Sequence, residues 1–236
     1  RTLERMNRIS GGPASLMESD GIPALLKSLL IDFGLEDTQH LQPCFRIIER
    51  LCRNPANAEV IRKADGIKQL CVALNVHKDK ELACKIGSRA LTKLAAGNVK
   101  ELIGQLEGTT DPAEREFLAQ LLANLALEED NAEKIVKGGG VPTLVETFKS
   151  PSQKTIEASS RALARIASVP ENVPDVVKSG AIEVLVATLD QYEDNDAIIS
   201  SCVPTLLKLA TTEEDVERIV AAGGLASVLR TLVKHP

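Results

Sequence analysis

The side chains in this sequence with the clearest chemical potential are basic residues that recur in pairs four positions apart. The best copy is the heptapeptide RALARIA at residues 161–167, in which Arg161 and Arg165 share one face of a helix and Leu163 and Ile166 face the apolar side. An arginine guanidinium can hold a carboxylate or a phosphate with two parallel hydrogen bonds. Such a pair therefore predicts the binding of an anionic group. We call the first and fifth residues of this heptapeptide a rung.

The heptapeptide occurs four more times, and a weaker copy opens the chain at residues 4–10. Eight of the twelve rung residues are Lys or Arg and one is acidic, although acidic residues outnumber basic ones by 33 to 28 in the chain. A helix face that is only exposed to solvent would carry both positive and negative side chains. The rungs are Glu4 and Arg8, Arg46 and Arg50, Arg89 and Lys93, Gln120 and Asn124, Arg161 and Arg165, and Pro204 and Lys208.

Stacked rungs would form a ladder that fits an extended acidic or phosphorylated segment of another protein. Packed helices lie roughly 8–10 Å apart, so five rungs span on the order of 40 Å. An extended chain covers about 3.3 Å per residue, which gives a partner of about a dozen residues. The alternative is that the rung residues bridge to acids on neighbouring helices and hold the fold together.

Composition restricts the class of protein. Aromatic residues make up only 2% of the 236 residues, and Ala and Leu dominate, which favours closely packed helices over sheets. The net charge of −5 argues against a generic binder of polyanions. Five cysteines without a C-x-x-C pair indicate buried thiols in a reducing compartment. No apolar run is long enough to span a bilayer, so we expect a cytoplasmic protein that could also enter the nucleus.

No group of residues in the sequence resembles a catalytic or metal site. The run Gly138-Gly139-Gly140 is not followed by Gly-Lys-Ser/Thr, so it indicates a turn and not a phosphate loop. None of the three histidines has a Cys, Asp or His partner at metal-ligand spacing. We therefore expect no enzyme activity, no metal and no cofactor.

A second recurring sequence motif shows that the chain is built from repeats of about 40 residues. Aligning its copies at positions 21, 66, 98, 140, 181 and 224 gives steps of 45, 32, 42, 41 and 43 residues. Each full unit contains a short helix, a turn to which glycine contributes a left-handed residue, a second helix and a longer third helix with the rung. The copies are DGIPAL (20–25), DGIKQL (65–70), NVKEL (98–102), GGVPTL (139–144), GAIEVL (180–185) and GGLASV (223–228).

These features resemble the armadillo repeat family. The matching patterns are G-[GA]-[IV]-P-x-L in the second helix, A-L-x-x-[LI]-A in the third, and N-x-x-x-[IV]-[VI] in the first. The resemblance implies an all-α, right-handed α-α superhelix of about five to six repeats, incomplete at both ends. It covers residues 1–236 as a single domain. We expect repeats to start near residues 14, 55, 98, 130, 170 and 213, with the first helix missing from the unit at 98.

In this family the third helices line a concave groove whose polar rungs contact an extended partner. Nuclear-import adaptors of this class carry Trp and Asn on their rungs, but this sequence has no Trp and only Asn124 matches. The basic rungs are more similar to the groove of catenin-type proteins, which accept acidic segments. The resemblance thus implies a protein-binding scaffold whose groove residues are Arg46, Arg50, Arg89, Lys93, Gln120, Asn124, Arg161, Arg165 and Lys208.

Two other functions are compatible with the same patterns. The basic ladder could bind nucleic acid or anionic lipid, although the few aromatic residues and the net charge disfavour nucleic acid. Armadillo arrays also occur in myosin chaperones and in nucleotide-exchange factors of chaperones, which need apolar patches; Phe45, Phe117 and Phe148 are the large candidates. Self-association is a further possibility, because acidic loop edges could enter the basic groove of another copy.

Overall fold

The computed structural model of the chain describes residues 38–77, 80–95 and 99–234, which form fourteen α-helices and no strand. The expected all-α fold is confirmed. The rung Glu4–Arg8 and the start of the repeat near residue 14 lie outside the described residues. The helices are α1 (Thr38–Leu51), α2 (Pro55–Lys63), α3 (Gly66–Val76), α4 (Glu81–Leu94), α5 (Val99–Gly108), α6 (Pro112–Leu125), α7 (Glu129–Lys137), α8 (Gly140–Glu146), α9 (Gln153–Ile166), α10 (Val173–Lys178), α11 (Ala181–Gln191), α12 (Asp196–Leu209), α13 (Glu213–Ala221) and α14 (Gly224–Lys234).

The chain divides into two compact units, residues 1–98 and residues 99–236. In the N-terminal unit, the third helices α1 and α4 pack side by side, and the first and second helices α2 and α3 both pack against α4. The second helix α5 opens the C-terminal unit at Val99, five residues after α4 ends at Leu94. The single domain expected over the whole chain stays a prediction.

The C-terminal unit arranges its helices in rows. The third helices α6, α9 and α12 are neighbours in that order, because α9 packs against both of the others. The second helices α5 and α8 pack together, as do α11 and α14. The first helices α7, α10 and α13 each contact the second helix of their own repeat. This packing repeats the same three-helix unit, as in other α-solenoids.

The third helices form the core through the positions that the heptapeptide pattern predicts. Its third and sixth residues are buried in all five described copies, including Leu163 and Ile166 in α9. The second residue is a fully buried alanine in α4 and α9, which lets neighbouring helices approach closely. The apolar face predicted from the sequence is therefore the face that packs inward.

The five cysteines are all thiols outside any disulfide, and all are buried. Burial raises the pKa of the Cys52 thiol to about 12 and that of Cys202 to about 11. A thiol with such a pKa stays protonated at neutral pH and is a poor nucleophile. The cysteines thus act as small core residues, as the sequence indicates.

A residue with left-handed backbone separates the first helix of a repeat from the second. It is Gly139, Gly180 or Gly223 in three repeats, with φ between 80° and 88°, but Asp65 in a fourth, with φ of 57°. In three of these repeats the next residue is also glycine, for a different reason. A Cβ on Gly140 would lie 2.6 Å from Ile135 Cγ2, so the two helices could not approach as closely. The motif therefore reflects two requirements: a left-handed backbone at its first residue and a close approach of two helices at its second.

A buried asparagine at the start of each of two first helices, within α7 or just before α10, bonds to the third helix before it. The Asn131 side chain donates to the carbonyl of Leu125 at 3.2 Å, and the Asn172 side chain donates to the carbonyl of Ile166 at 3.3 Å. Both acceptors are the last residues of third helices, whose terminal carbonyls lack intrahelical donors. This bond gives a physical reason for the asparagine in the first-helix pattern.

We predict that Asp65→Gly raises the free energy of unfolding by about 0.5–1 kcal/mol. Left-handed backbone is unfavourable for a residue with a Cβ, so glycine removes a strain from the folded state. The free energy gained in this way exceeds the stability lost because glycine gives the unfolded chain more entropy. Gly180→Ala is the matched control and should lower stability by about 1 kcal/mol, since its added Cβ would have room but the wrong φ. Urea unfolding followed by circular dichroism measures both; a less stable Asp65→Gly variant would contradict the assignment.

Candidate functional site

The rungs of the N-terminal unit lie on two adjacent third helices. Arg46 and Arg50 on α1 and Arg89 on α4 are exposed to solvent. Lys93 is half-buried and forms an ion pair with Glu49 of α1, with 3.3 Å between Lys93 Nζ and Glu49 Oε1. This unit therefore brings four of the predicted site residues onto one pair of packed helices.

Two more basic residues lie near these rungs: Lys85 is one turn before Arg89 on α4, and Arg53 is in the turn that follows α1. Arg53 approaches Glu49 at 3.8 Å, so this carboxylate is shared by two cations. Lys85 forms an ion pair with Glu81 at 3.2 Å. We call the eight residues the N-terminal cationic face. It carries six basic and two acidic side chains: Arg46, Arg50, Arg53, Lys85, Arg89 and Lys93, with Glu49 and Glu81.

Two rungs of the C-terminal unit lie beside acidic residues one turn earlier in the same helix. Gln120 donates to Glu116 at 3.1 Å. The side chain of Arg161 is largely buried and lies 3.9 Å from a carboxylate oxygen of Glu157. The positive charge that the sequence predicts at this position is therefore largely balanced within the helix.

The fifth-position residues of the C-terminal unit connect successive third helices. The Arg165 guanidinium donates to the backbone carbonyl of Ala123 and, at 3.2 Å, to the side-chain oxygen of buried Asn124. Lys208 Nζ donates to the carbonyl of Ala164 at 3.1 Å and to Ser168 Oγ at 2.6 Å. Both carbonyls lie in the last turn of the preceding third helix, where cations are favoured.

Partial burial also lowers the pKa of Lys208 below its ordinary value, as expected for an ammonium group drawn toward a packed surface. The helix that carries it continues through Pro204, an exposed rung residue without a charge.

Whether any of the nine predicted groove residues binds a partner stays a prediction. Three of them, Arg46, Arg50 and Arg89, are exposed in the N-terminal unit, whereas Lys93, Arg165 and Lys208 are bonded to a neighbouring third helix.

Two further arginines that the rung pattern does not include make the same kind of contact from first helices. Arg62 donates to the carbonyl of Leu94 at 3.1 Å, at the end of α4. Arg218 donates to the carbonyl of Val177 at 3.3 Å and forms an ion pair with Glu183 at 2.7 Å. A basic residue near the C-terminal end of a first helix is the only sequence signal for them, and it is weak.

Other kinds of site find little support in the part of the chain that the structure describes. There, no cluster of His, Cys, Asp and Glu could hold a metal ion. No helix in the described ranges is long and apolar enough to cross a membrane. Among the aromatic residues considered for a chaperone surface, Phe45 is fully buried and Phe117 and Phe148 are partly buried. Phe45 therefore packs in the core and offers no binding surface.

We predict that Arg165→Met lowers the free energy of unfolding by about 1–3 kcal/mol. The substitution keeps the apolar stem but leaves the Ala123 carbonyl and the buried Asn124 oxygen without this donor. Arg165→Lys should recover part of the loss, since an ammonium group can still cap the helix. Arg46→Met, at an exposed rung, is the matched control and should change stability by less than about 0.5 kcal/mol. Equal urea midpoints for Arg165→Met and Arg46→Met would show that the bonds between third helices do not stabilise the fold.

Solved structures with a similar fold include engineered proteins. One engineered protein is 27% identical, with 91% of this chain and 90% of that chain covered and a TM-score of 0.58. A designed armadillo repeat protein in complex with the peptide (KR)4 is 20% identical, with coverage of 89% and 90% and a TM-score of 0.55. Another, computationally designed for modular peptide recognition, is also 20% identical, with coverage of 89% and 91% and a TM-score of 0.56. At 20% identity the likeness to the armadillo designs shows the fold alone.

No curated protein matches the chain. A family model described as the GAC ARM domain, however, matches residues 98–235. This match covers more than half of the chain and almost all of the C-terminal unit. Together with the armadillo-type packing of three helices per repeat, it shows that the chain belongs to the GAC ARM domain family.

Proposed function

We propose that this protein is an interaction scaffold that binds an acidic or phosphorylated extended segment of a partner through the N-terminal cationic face. The observation that supports this proposal is the exposure of Arg46, Arg50 and Arg89 on two adjacent third helices. The eight side chains of the face have a formal charge of +4, from six basic and two acidic residues, in a chain whose net charge is −5. A local excess of positive charge in an acidic protein favours an anionic partner.

The spacing of the helices suggests the register of the ligand. Third helices packed roughly 8–10 Å apart place their rungs about three residues apart along an extended chain. A segment with an acidic residue or phosphate at every third position would therefore reach α1 and α4 in turn. Arg46 and Arg50 share one helix face, so together they can also surround a single phosphate.

The binding free energy of a single surface contact is small, so several contacts must act together. An exposed ion pair contributes only about 0.2–1 kcal/mol, so one rung gives no useful affinity. Four basic rung residues acting together, with the planar arginine groups held by their helices, provide the main part of the binding free energy. Arg165 and Lys208 have another role in this proposal, because they fix the distance between third helices of the C-terminal unit.

One solved structure with this fold, a designed armadillo repeat protein, is a complex with the peptide (KR)4. That ligand is basic, whereas the exposed rungs of this chain are basic themselves. Basic rungs on this architecture would attract an acidic ligand. This reasoning supports an acidic segment and disfavours a basic one.

We predict that Arg46→Glu with Arg89→Glu weakens the binding of an acidic peptide by about tenfold or more. Reversing two charges replaces two attractions with repulsions, each worth up to about 1 kcal/mol at the surface. Fluorescence anisotropy with labelled peptides that carry Glu or phosphoserine at every third position measures the effect. Binding to the unchanged protein should also weaken as salt rises from low to physiological concentration.

The matched control is Lys68→Glu with Lys100→Glu, which changes the charge equally at two exposed lysines on second helices. It should leave peptide binding within about twofold. Equal loss in both double variants would mean that only net charge matters and would overturn the proposed site. Anionic vesicles and single-stranded RNA serve as competing probes: tighter binding of either, lost in Arg46→Glu with Arg89→Glu, would replace the acidic peptide as the partner.

A further inference from the structure

The hydroxyl group of Ser168 lies between two successive third helices and bonds to both of them. It donates a hydrogen bond to the carbonyl of Ala164 in the last turn of α9, at 2.9 Å. It accepts a hydrogen bond from the ammonium group of Lys208 on α12, at 2.6 Å. Ser168 is exposed to solvent in the turn that follows α9. An accessible hydroxyl oxygen is therefore already held beside a positive charge.

Two hydroxyl groups elsewhere in the C-terminal unit show what distinguishes Ser168. Ser227 also accepts from a cation, Arg230 at 3.2 Å, but it is buried. Thr211 is exposed, but its hydroxyl donates to the carboxylate of Asp215 at 2.9 Å, so a negative group added there would be repelled. Ser168 combines exposure with a neighbouring cation, which is the environment that favours an added anion.

The sequence around Ser168 has the pattern Arg-x-x-Ser followed by an apolar residue. Arg165 precedes the serine by three positions, and Val169 follows it. Protein kinases that select a basic residue at this distance pair it with carboxylates of their substrate groove. The turn that holds the serine begins where α9 ends at Ile166, and helix ends open more readily than helix centres. Arg165 lies in the last turn of α9, so one local opening presents both residues.

We propose that Ser168 is a phosphorylation site for a protein kinase that selects Arg165, and that Lys208 holds the phosphate when the turn closes again. In the transfer, Ser168 Oγ forms a bond to the γ-phosphorus of ATP. The bond from that phosphorus to the oxygen that bridges it to the β-phosphate breaks, and ADP leaves with the electron pair. The hydroxyl proton passes to the carboxylate base of the kinase. This proposal is independent of the N-terminal cationic face, because no residue of that face takes part.

The phosphate would change the charge at an exposed rung of the C-terminal unit. Lys208 is exposed there, whereas Arg161 and Arg165 are partly buried. A phosphoserine carries about two negative charges at neutral pH, so at Ser168 it outweighs the single charge of Lys208. The local charge beside this rung therefore changes from positive to negative, and the surface responds to phosphorylation.

Two opposing effects decide whether the fold tolerates the phosphate. Negative charge at the C-terminal end of α9 is unfavourable, and the exposed carboxylate of Glu171 lies only three residues further along the chain. The ammonium group of Lys208 provides an attraction of comparable size, because it already contacts the oxygen that becomes the phosphate ester. We therefore expect phosphorylation to lower stability little when Lys208 is present and clearly more when it is absent.

The first test treats the full 236-residue chain with MgATP and a purified calcium/calmodulin-dependent protein kinase that selects arginine three positions before the serine. Mass spectrometry of tryptic fragments should place a phosphate on Ser168. Arg165→Met should slow this modification by at least about tenfold, although it loosens the end of α9, because the kinase loses its recognition residue. Arg161→Met, one turn earlier on the same helix, is the matched control and should keep the rate within about twofold.

Three results of this test would overturn the proposal. One is the absence of phosphate from Ser168 in the folded chain. Another is an equal or faster rate in Arg165→Met, which would show that access and not recognition controls the reaction. The third is faster modification of Ser168 by a kinase that selects an acidic residue three positions after the serine, because such an enzyme would read Glu171 instead of Arg165.

The second test compares urea unfolding of the phosphorylated and unmodified chains by circular dichroism. Phosphorylation should shift the midpoint by less than about 0.1 M in the unchanged protein and lower it by about 0.2–0.4 M in Lys208→Met. Lys208→Arg keeps the charge and should respond like the unchanged protein. Lys154→Met, at an exposed lysine in the first turn of α9, is the matched control and should do the same. Equal shifts in Lys208→Met and Lys154→Met would overturn the assignment of Lys208 as the residue that holds the phosphate.

Discussion

The fold depends on donors from one repeat that reach the C-terminal carbonyls of the third helix before it. These carbonyls lack intrahelical partners, and they lie at the negative end of the helix dipole. Asn131 supplies an amide to the carbonyl of Leu125, Arg165 a guanidinium to that of Ala123, and Lys208 an ammonium to that of Ala164. Each bond fixes the distance and rotation of one repeat against the next, which apolar packing of Ala and Leu alone would leave less specific.

The same constraint explains why basic rungs have different roles in the two compact units. In the C-terminal unit the fifth-position cation reaches a backbone carbonyl of the preceding third helix, so its charge stabilises the stack. In the N-terminal unit Lys93 meets the side chain of Glu49 instead, while Arg46, Arg50 and Arg89 remain exposed. Residues of one type and spacing are therefore bonded between third helices in one unit and mostly exposed in the other.

The sequence predicts the parts of this structure that depend on local pattern. The repeat period, the order of helices and the buried third and sixth positions of the heptapeptide follow from side-chain spacing, which is the same in every copy. The sequence does not show that Arg46 is exposed whereas Arg165 is bonded to the preceding third helix, because the local patterns around the two residues are alike. It also does not show that Asp65 takes the left-handed conformation that glycine takes elsewhere, since the repeat imposes this φ on whichever residue is there.

Exposure in a repeat array is consequently a property of the position and its neighbours more than of the residue type. Arg89 and Arg161 both occupy the first position of the heptapeptide, yet Arg89 is exposed whereas the side chain of Arg161 is largely buried beside Glu157. In a solenoid each repeat packs only against adjacent elements, so the neighbouring repeat decides how far each side chain reaches solvent.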